Sequence, residues 1–168
     1  PGAMRQAVAE SRAFGTGLLG DISNTLASVA ILESAGVNAR VFREVLAFPD
    51  EGAEAVVSAA VEETRACGGL TSVRLGFAAH APYSVGPAAF APVGRVIRGE
   101  PAAPRCIHLA ESPEELQFLR RGVGPWRDLL ERIGRWNPGW APPGCGPVEY
   151  LDRMGWLGPG LLAVHGVQ

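Results

Sequence analysis

Cys106-Ile107-His108-Leu109-Ala110-Glu111-Ser112-Pro113-Glu114-Glu115 reads as a strand running directly into a helix. The apolar run stops at a histidine, and a carboxylate follows three residues later. Ser112 suits an N-cap, Pro113 suits the first helical position, and Glu115 stands three residues after Ser112, the spacing of a capping box. His108 and Glu111 therefore belong to a strand-to-helix junction, where α/β proteins present their chemistry. A neutral imidazole can hold a divalent metal, and a nearby carboxylate can move a proton. In an extended strand, position i+3 would put Glu111 on the face opposite His108, so the strand must end near Ala110.

Working outward, helix and strand patterns alternate. Helical stretches are expected at residues 4–14, 26–35, 51–67, 88–98 and 113–121, several of them closed by glycines such as Gly15, Gly36 and Gly68. Short apolar strands are expected at 18–22, 37–46, 71–79, 105–110 and 161–164. Five such strands separated by helices imply an α/β protein with a parallel sheet covered by helices. Residues 121–160 break the rhythm. This segment carries Trp126, Trp136 and Trp140 among prolines and glycines, and reads as an inserted loop with short helical pieces at 126–133 and 148–154. Covering a pocket mouth and pinning down a long surface loop are both open roles for it.

Composition narrows the function. The 168 residues are 47% hydrophobic and 19% charged, with a net charge of -2, which fits a folded globular chain of about one domain. No basic block exists to contact nucleic acid, and no apolar run approaches the roughly 20 residues that span a bilayer. All fifteen basic residues are arginines, so Schiff-base chemistry through lysine is excluded. Cys67, Cys106 and Cys145 form no Cys-x-x-Cys pair, and reduced thiols in a cytoplasmic protein are the expectation. Neither a Gly-x-Gly-x-x-Gly nor a Walker-type phosphate loop follows any strand.

The three histidines, His80, His108 and His165, each fall at the C-terminal end of a different expected strand. In a parallel barrel or open parallel sheet those ends converge on one face, which points to function. Arg43-Glu44, also near a strand end, leaves a site-facing role and a structural ion pair open. Asp21, in the first strand, reads as structural. Cys106 lies two residues before His108 on the same strand face, and as a small buried hydrophobe it reads as core.

"FAAHAPYSVGP" (77–87), "IHLAESPEELQFL" (107–119) and "LLAVHGV" (161–167), in this order, resemble the metal-dependent amidohydrolase superfamily, with the deaminase and chlorohydrolase branch nearest. "GTGLLGDISNT" (15–25) and "VFREVLAF" (41–48) are similar to the second and third barrel strands of that group. The resemblance implies a partial TIM-type (β/α)8 barrel, roughly strands 2 to 6 with their helices. Residues 1–168 would be the central part of one barrel domain, with the rest of the barrel outside this stretch.

The resemblance also implies roles. His108 would be a metal ligand. Glu111 would be the proton shuttle between the attacking water and the leaving group. His165 would contact the metal or hydrogen-bond the water, and so counts both as a ligand and as a catalytic residue. His80, Tyr83 and Ser84 would line the substrate pocket. The implied cofactor is a divalent metal, zinc foremost and iron as the alternative, and the partner is a small-molecule substrate, with a homodimer of a longer protein compatible. The implied reaction is hydrolytic deamination of an amino-substituted nitrogen heterocycle by metal-activated water. Dechlorination or other C–N hydrolysis by the same mechanism is one alternative, and a non-catalytic, degenerate barrel fragment is another. The family's His-x-His pair and late-strand aspartate have no counterpart here, and the family often carries a histidine where Gln168 stands. The expectation is that these 168 residues alone do not hold the metal tightly.

Overall fold

Parallel strands need crossover connections, and each crossover here is long enough for a helix. The computed structural model describes residues 2–98 and 104–168. Its strands are β1 (Leu19–Ser23), β2 (Ala39–Val45), β3 (Val73–Ala79), β4 (Arg105–Leu109) and β5 (Leu161–His165). All neighbours pair parallel, in the order β1-β2-β3-β4-β5. A sheet that follows chain order without reversal, with right-handed crossovers, places its helices on one side only. That is the arrangement of a barrel rather than of a doubly wound sheet. The described residues form an α/β half-barrel of five strands.

The helices are α1 (Gly2–Ala13), α2 (Val29–Ser34), α3 (Ala53–Ala66), α4 (Pro87–Arg98), α5 (Pro113–Arg121), α6 (Pro125–Arg132) and α7 (Pro147–Arg153). The sequence expectations locate the elements to within three residues, and two of the shifted starts have a visible cause. Helix α2 begins at Val29 rather than at 26, because Leu26 takes a left-handed turn (φ 55°) whose N–H donates to Ser23 Oγ. Strand β2 begins at Ala39 rather than at 37, after the left-handed Gly36 closes α2. Asp21 is structural, as expected. Its carboxylate accepts from Ser28 Oγ at 2.5 Å, tying β1 to the cap of α2.

Strand register separates the two faces of the sheet. Val45, Ala79 and Ile107 lie in one outward row and join the main core with Val57 of α3, Phe90 and Val93 of α4, and Phe118 and Leu119 of α5. Phe42, Ala78 and Cys106 form a small inward cluster. Gly76 belongs to that face, where an added Cβ would stand 3.1 Å from the Phe42 ring. Burial pushes the Cys106 thiol up to about 11, so it serves as inner-face core.

One surface carboxylate secures the entry to β3. Glu33, on α2, accepts from the Thr71 hydroxyl and from the N–H groups of Thr71, Ser72 and Val73. These bonds hold its pKa down to about 2 from the ordinary 4.5. Because the folded state depresses this pKa, the stabilisation is complete above pH 4.5 and is lost as pH falls towards about 2. Glu33→Gln should therefore lower the urea midpoint at neutral pH. Its difference from wild type should shrink across that acid window, and a pH-independent difference would contradict the assignment.

Candidate active site

The C-terminal ends of β2 to β5 bring the chemistry-bearing residues together. Three inward positions follow from the register. Glu44 shares a row with Ala78 and Cys106, while His80 and His108 stand one row further along, just above it. The backbone continues the sheet there. His80 N–H donates to Val45 O (3.0 Å), and His108 N–H donates to His80 O (2.9 Å).

A ring hydrogen bond sets the His108 tautomer. His108 Nδ1 lies 3.0 Å from His80 O, and a carbonyl can only accept, so Nδ1 carries the proton and the neutral ring keeps its lone pair on Nε2. Ser84 Oγ lies 2.5 Å from His80 Nδ1 and 3.2 Å from Ala81 O. His80 Nε2 lies 3.9 Å from Glu44 Oε1. Burial lowers the His80 pKa; Glu44 opposes that, His108 reinforces it, and Glu111 again opposes it. Both rings have the tied-back Nδ1 typical of metal ligands. One ligand atom each from Glu44, His80 and His108 lies within 4.8 Å of the others. His108 faces Glu44 Oε1 with Nδ1, at 4.0 Å, and two imidazoles with a carboxylate are donor types that bind a divalent cation.

His165 stands beside this group rather than in it. Its ring centroid is 5.3 Å from that of His108, and its Nε2 lies 3.6 Å from Glu111 Oε1. The other Glu111 oxygen, Oε2, accepts from Tyr83 Oη at 3.0 Å. The Tyr83 pKa is driven up, chiefly by burial and then by the Glu111 charge. The tyrosine therefore stays a hydrogen-bond donor across the neutral range. Glu111 reaches this position because β4 ends at Leu109 and Ala110 turns left-handed (φ 53°), as the spacing required.

Tyr83 also forms part of a cavity wall. Its ring stacks on Trp126 of α6 with centroids 4.0 Å apart and planes 5° from parallel. With His80, Ser84, Leu46 and Phe48 they border a cavity of about 540 Å³. The open question about residues 121–160 thus resolves both ways. Trp126 borders the cavity, while Trp136 and Trp140 pack on Phe48 and Phe118.

Every site residue read from the sequence thus lies at this rim: His80, Tyr83, Ser84, His108, Glu111 and His165. Two more join them, one left open by the sequence and one read for another role. The Arg43-Glu44 pair splits by strand alternation, with Arg43 bound to Glu63 of α3 at 2.6 Å and Glu44 turned inward. Glu115 was read only as a capping residue. Ser112 does cap α5 by accepting from Glu115 N–H, but the Glu115 carboxylate passes Ser112 and accepts from the N–H groups of Ala110 (3.2 Å) and Glu111 (2.8 Å). The register of β2 could have exposed the first, and the fixed Ser-x-x-Glu spacing hinted at the second.

No family model matches the chain. It is similar to the aminodeoxyfutalosine deaminase of Deinococcus radiodurans, with 34% identity over 149 residues, covering 81% of this chain and 34% of that protein. The chain thus spans about a third of the length of this curated relative. Among solved structures, Helicobacter pylori aminofutalosine deaminase superposes with a TM-score of 0.75 at 27% identity, over 91% of this chain and 38% of that one. An adenosine deaminase from Xanthomonas campestris with bound zinc gives a TM-score of 0.66 at 25% identity, over 98% and 34% respectively.

Proposed function

We propose that this chain, which belongs to the metal-dependent amidohydrolase superfamily, is the central part of a barrel domain that hydrolyses the amino group from a nitrogen heterocycle. Residues 1–168 would lie within that domain, with 121–160 as an insertion at its rim. The observation that carries the reading is the placement of Glu111. One carboxylate oxygen is held by Tyr83, and the other lies next to His165, beside the His80, His108 and Glu44 group.

His108 would hold the divalent metal, zinc first, with Glu44 and His80 in the same group, and His165, beside that group, would be a further ligand only by reaching across to the ion. Such a cation lowers the pKa of a water from about 15.7 to about 7 and so supplies a nucleophile at neutral pH. The residues handle the rest. Glu111 Oε1, the oxygen not engaged by Tyr83, takes the proton released as water attacks the ring carbon. It then passes that proton to the amino nitrogen, so the C–N bond breaks with ammonia as the leaving group and the new C–O bond remains. His165 supports the charge on Glu111 and can hydrogen-bond the same water. His80, Tyr83 and Ser84 form the wall against which the heterocycle lies, and the cavity bordered by Leu46, Phe48 and Trp126 takes its apolar extension.

A substrate panel tests this reading. Full-length protein loaded with zinc should release ammonia from aminodeoxyfutalosine, adenosine or a related aminopurine. Release of chloride from a chlorotriazine, without deamination, would favour the dechlorinating alternative, and no turnover of any of them would sink the reading. The metal assignment has its own check. His108→Ala should weaken divalent-metal retention after dialysis by at least about 100-fold, since even outer-shell changes cost 10- to 100-fold. Unchanged retention would remove His108 from the ligand set.

A further inference from the structure

We propose that Glu115 is a positioning residue, whose buried carboxylate sets the backbone turn that aims Glu111; the proposal rests on the reading of Glu111 as the proton shuttle. Among the described residues, Glu115 is the one charged side chain in the fully buried class, at 0% exposure. A buried carboxylate is unfavourable unless its oxygens are satisfied. In a capping box the partner would be the N–H of the N-cap residue, Ser112. Here the two oxygens instead take the N–H groups of Ala110 and Glu111, the two residues that carry the chain from β4 towards the helix. Ordinary capping of α5 is already supplied by Ser112 Oγ.

The conformation being held is one the sequence does not favour. Ala110 has φ 53°, a left-handed backbone that a non-glycine residue adopts only with outside support. That turn is what brings Glu111 onto the same side as His108. It is held from the other direction as well, because Val167 N–H (2.9 Å) and Gln168 N–H (3.0 Å) both donate to Ala110 O. Gly166 N–H likewise donates to Leu109 O at 2.9 Å. One clamp therefore fixes Glu111 and the segment following His165 together. Glu115 does not line the cavity; it acts through the backbone.

Full-length, metal-loaded protein carrying Glu115→Gln tests the proposal. An amide offers one acceptor oxygen in place of two, so one of the N–H groups faces an NH2 group instead of an oxygen. Because a misplacement near 1 Å costs about 100-fold, kcat should fall about 100-fold while KM and metal content stay close to wild type. The double variant Glu115→Gln/Ala110→Gly should regain a substantial part of kcat, because glycine adopts φ > 0 without support. Loss of metal in step with kcat, a rise in KM that accounts for the loss, or no rescue by glycine would overturn the proposal.

A second readout needs no variant and no substrate. In the wild-type protein the amide protons of Ala110 and Glu111 should exchange as slowly as those of β4 itself, and free exchange at both would overturn the clamp. The two readings also separate cleanly. Full turnover by Glu111→Gln would sink the shuttle and this inference with it. Loss of turnover in Glu111→Gln with none in Glu115→Gln would sink this inference alone.

Discussion

Glu111→Gln is expected to lower kcat by about 10²- to 10⁴-fold, the range in which a positioned acid–base group contributes, with no comparable loss of metal or melting temperature. The substitution is nearly isosteric. Its amide oxygen can still accept from Tyr83 Oη, which now bonds Glu111 Oε2 at 3.0 Å, so the geometry around Tyr83 and Trp126 should persist. What disappears is a basic oxygen next to His165 Nε2, at 3.6 Å, and with it the ability to accept and return a proton. Rates of ammonia release should be measured beside metal content by elemental analysis. Metal lost in proportion to rate would make Glu111 a ligand rather than a shuttle, and retention of more than a tenth of the wild-type rate would remove it from proton transfer.

Phe118→Ala should produce the largest loss of stability, about 3–5 kcal/mol by analogy with other buried aromatic truncations. Phe118 is fully buried on α5 and meets three aromatic neighbours. Its ring stacks on Trp140 at 4.7 Å and contacts Phe48 (6.3 Å) and Trp136 (6.4 Å) edge-on. Removing it leaves a void where the barrel helix, the loop after β2 and the tryptophan-rich segment meet. That segment cannot collapse into the space without moving Trp140 away from Phe48. Urea unfolding of the variant and wild type measures the difference; a change below about 1 kcal/mol would show that the cluster is not acting as core.

A histidine stands at or just past the ends of β3, β4 and β5 and made those ends readable, and the β4–α5 junction was readable because Ser112 and Pro113 mark a helix start unambiguously. From these follow the convergence of His80, His108 and His165 and the need for a break near Ala110; the barrel itself came from the family resemblance, because alternation alone fits an open parallel sheet as well. Glu44 stayed ambiguous for a physical reason. Adjacent residues on a strand point to opposite faces, and only the pairing of Glu44 with Ala78 in register decides which of Arg43 and Glu44 turns inward. Glu115 was half legible: its helix position follows from spacing. Its reach to Ala110 depends on a left-handed alanine that no local residue preference announces. The start of α2 was misplaced for the same kind of reason, a left-handed Leu26.

Tyr83 does two things at once, and this limits how the protein can change. Its ring lies flat against Trp126 at the cavity border, and its hydroxyl grips the carboxylate of Glu111. Residues near α6 that reshape the cavity for a different guest press on the same ring that steadies proton transfer. Selection for a new substrate through this wall would therefore be felt in turnover as well as in affinity. Variants with altered guest range should then require compensating changes around Tyr83 before they regain speed.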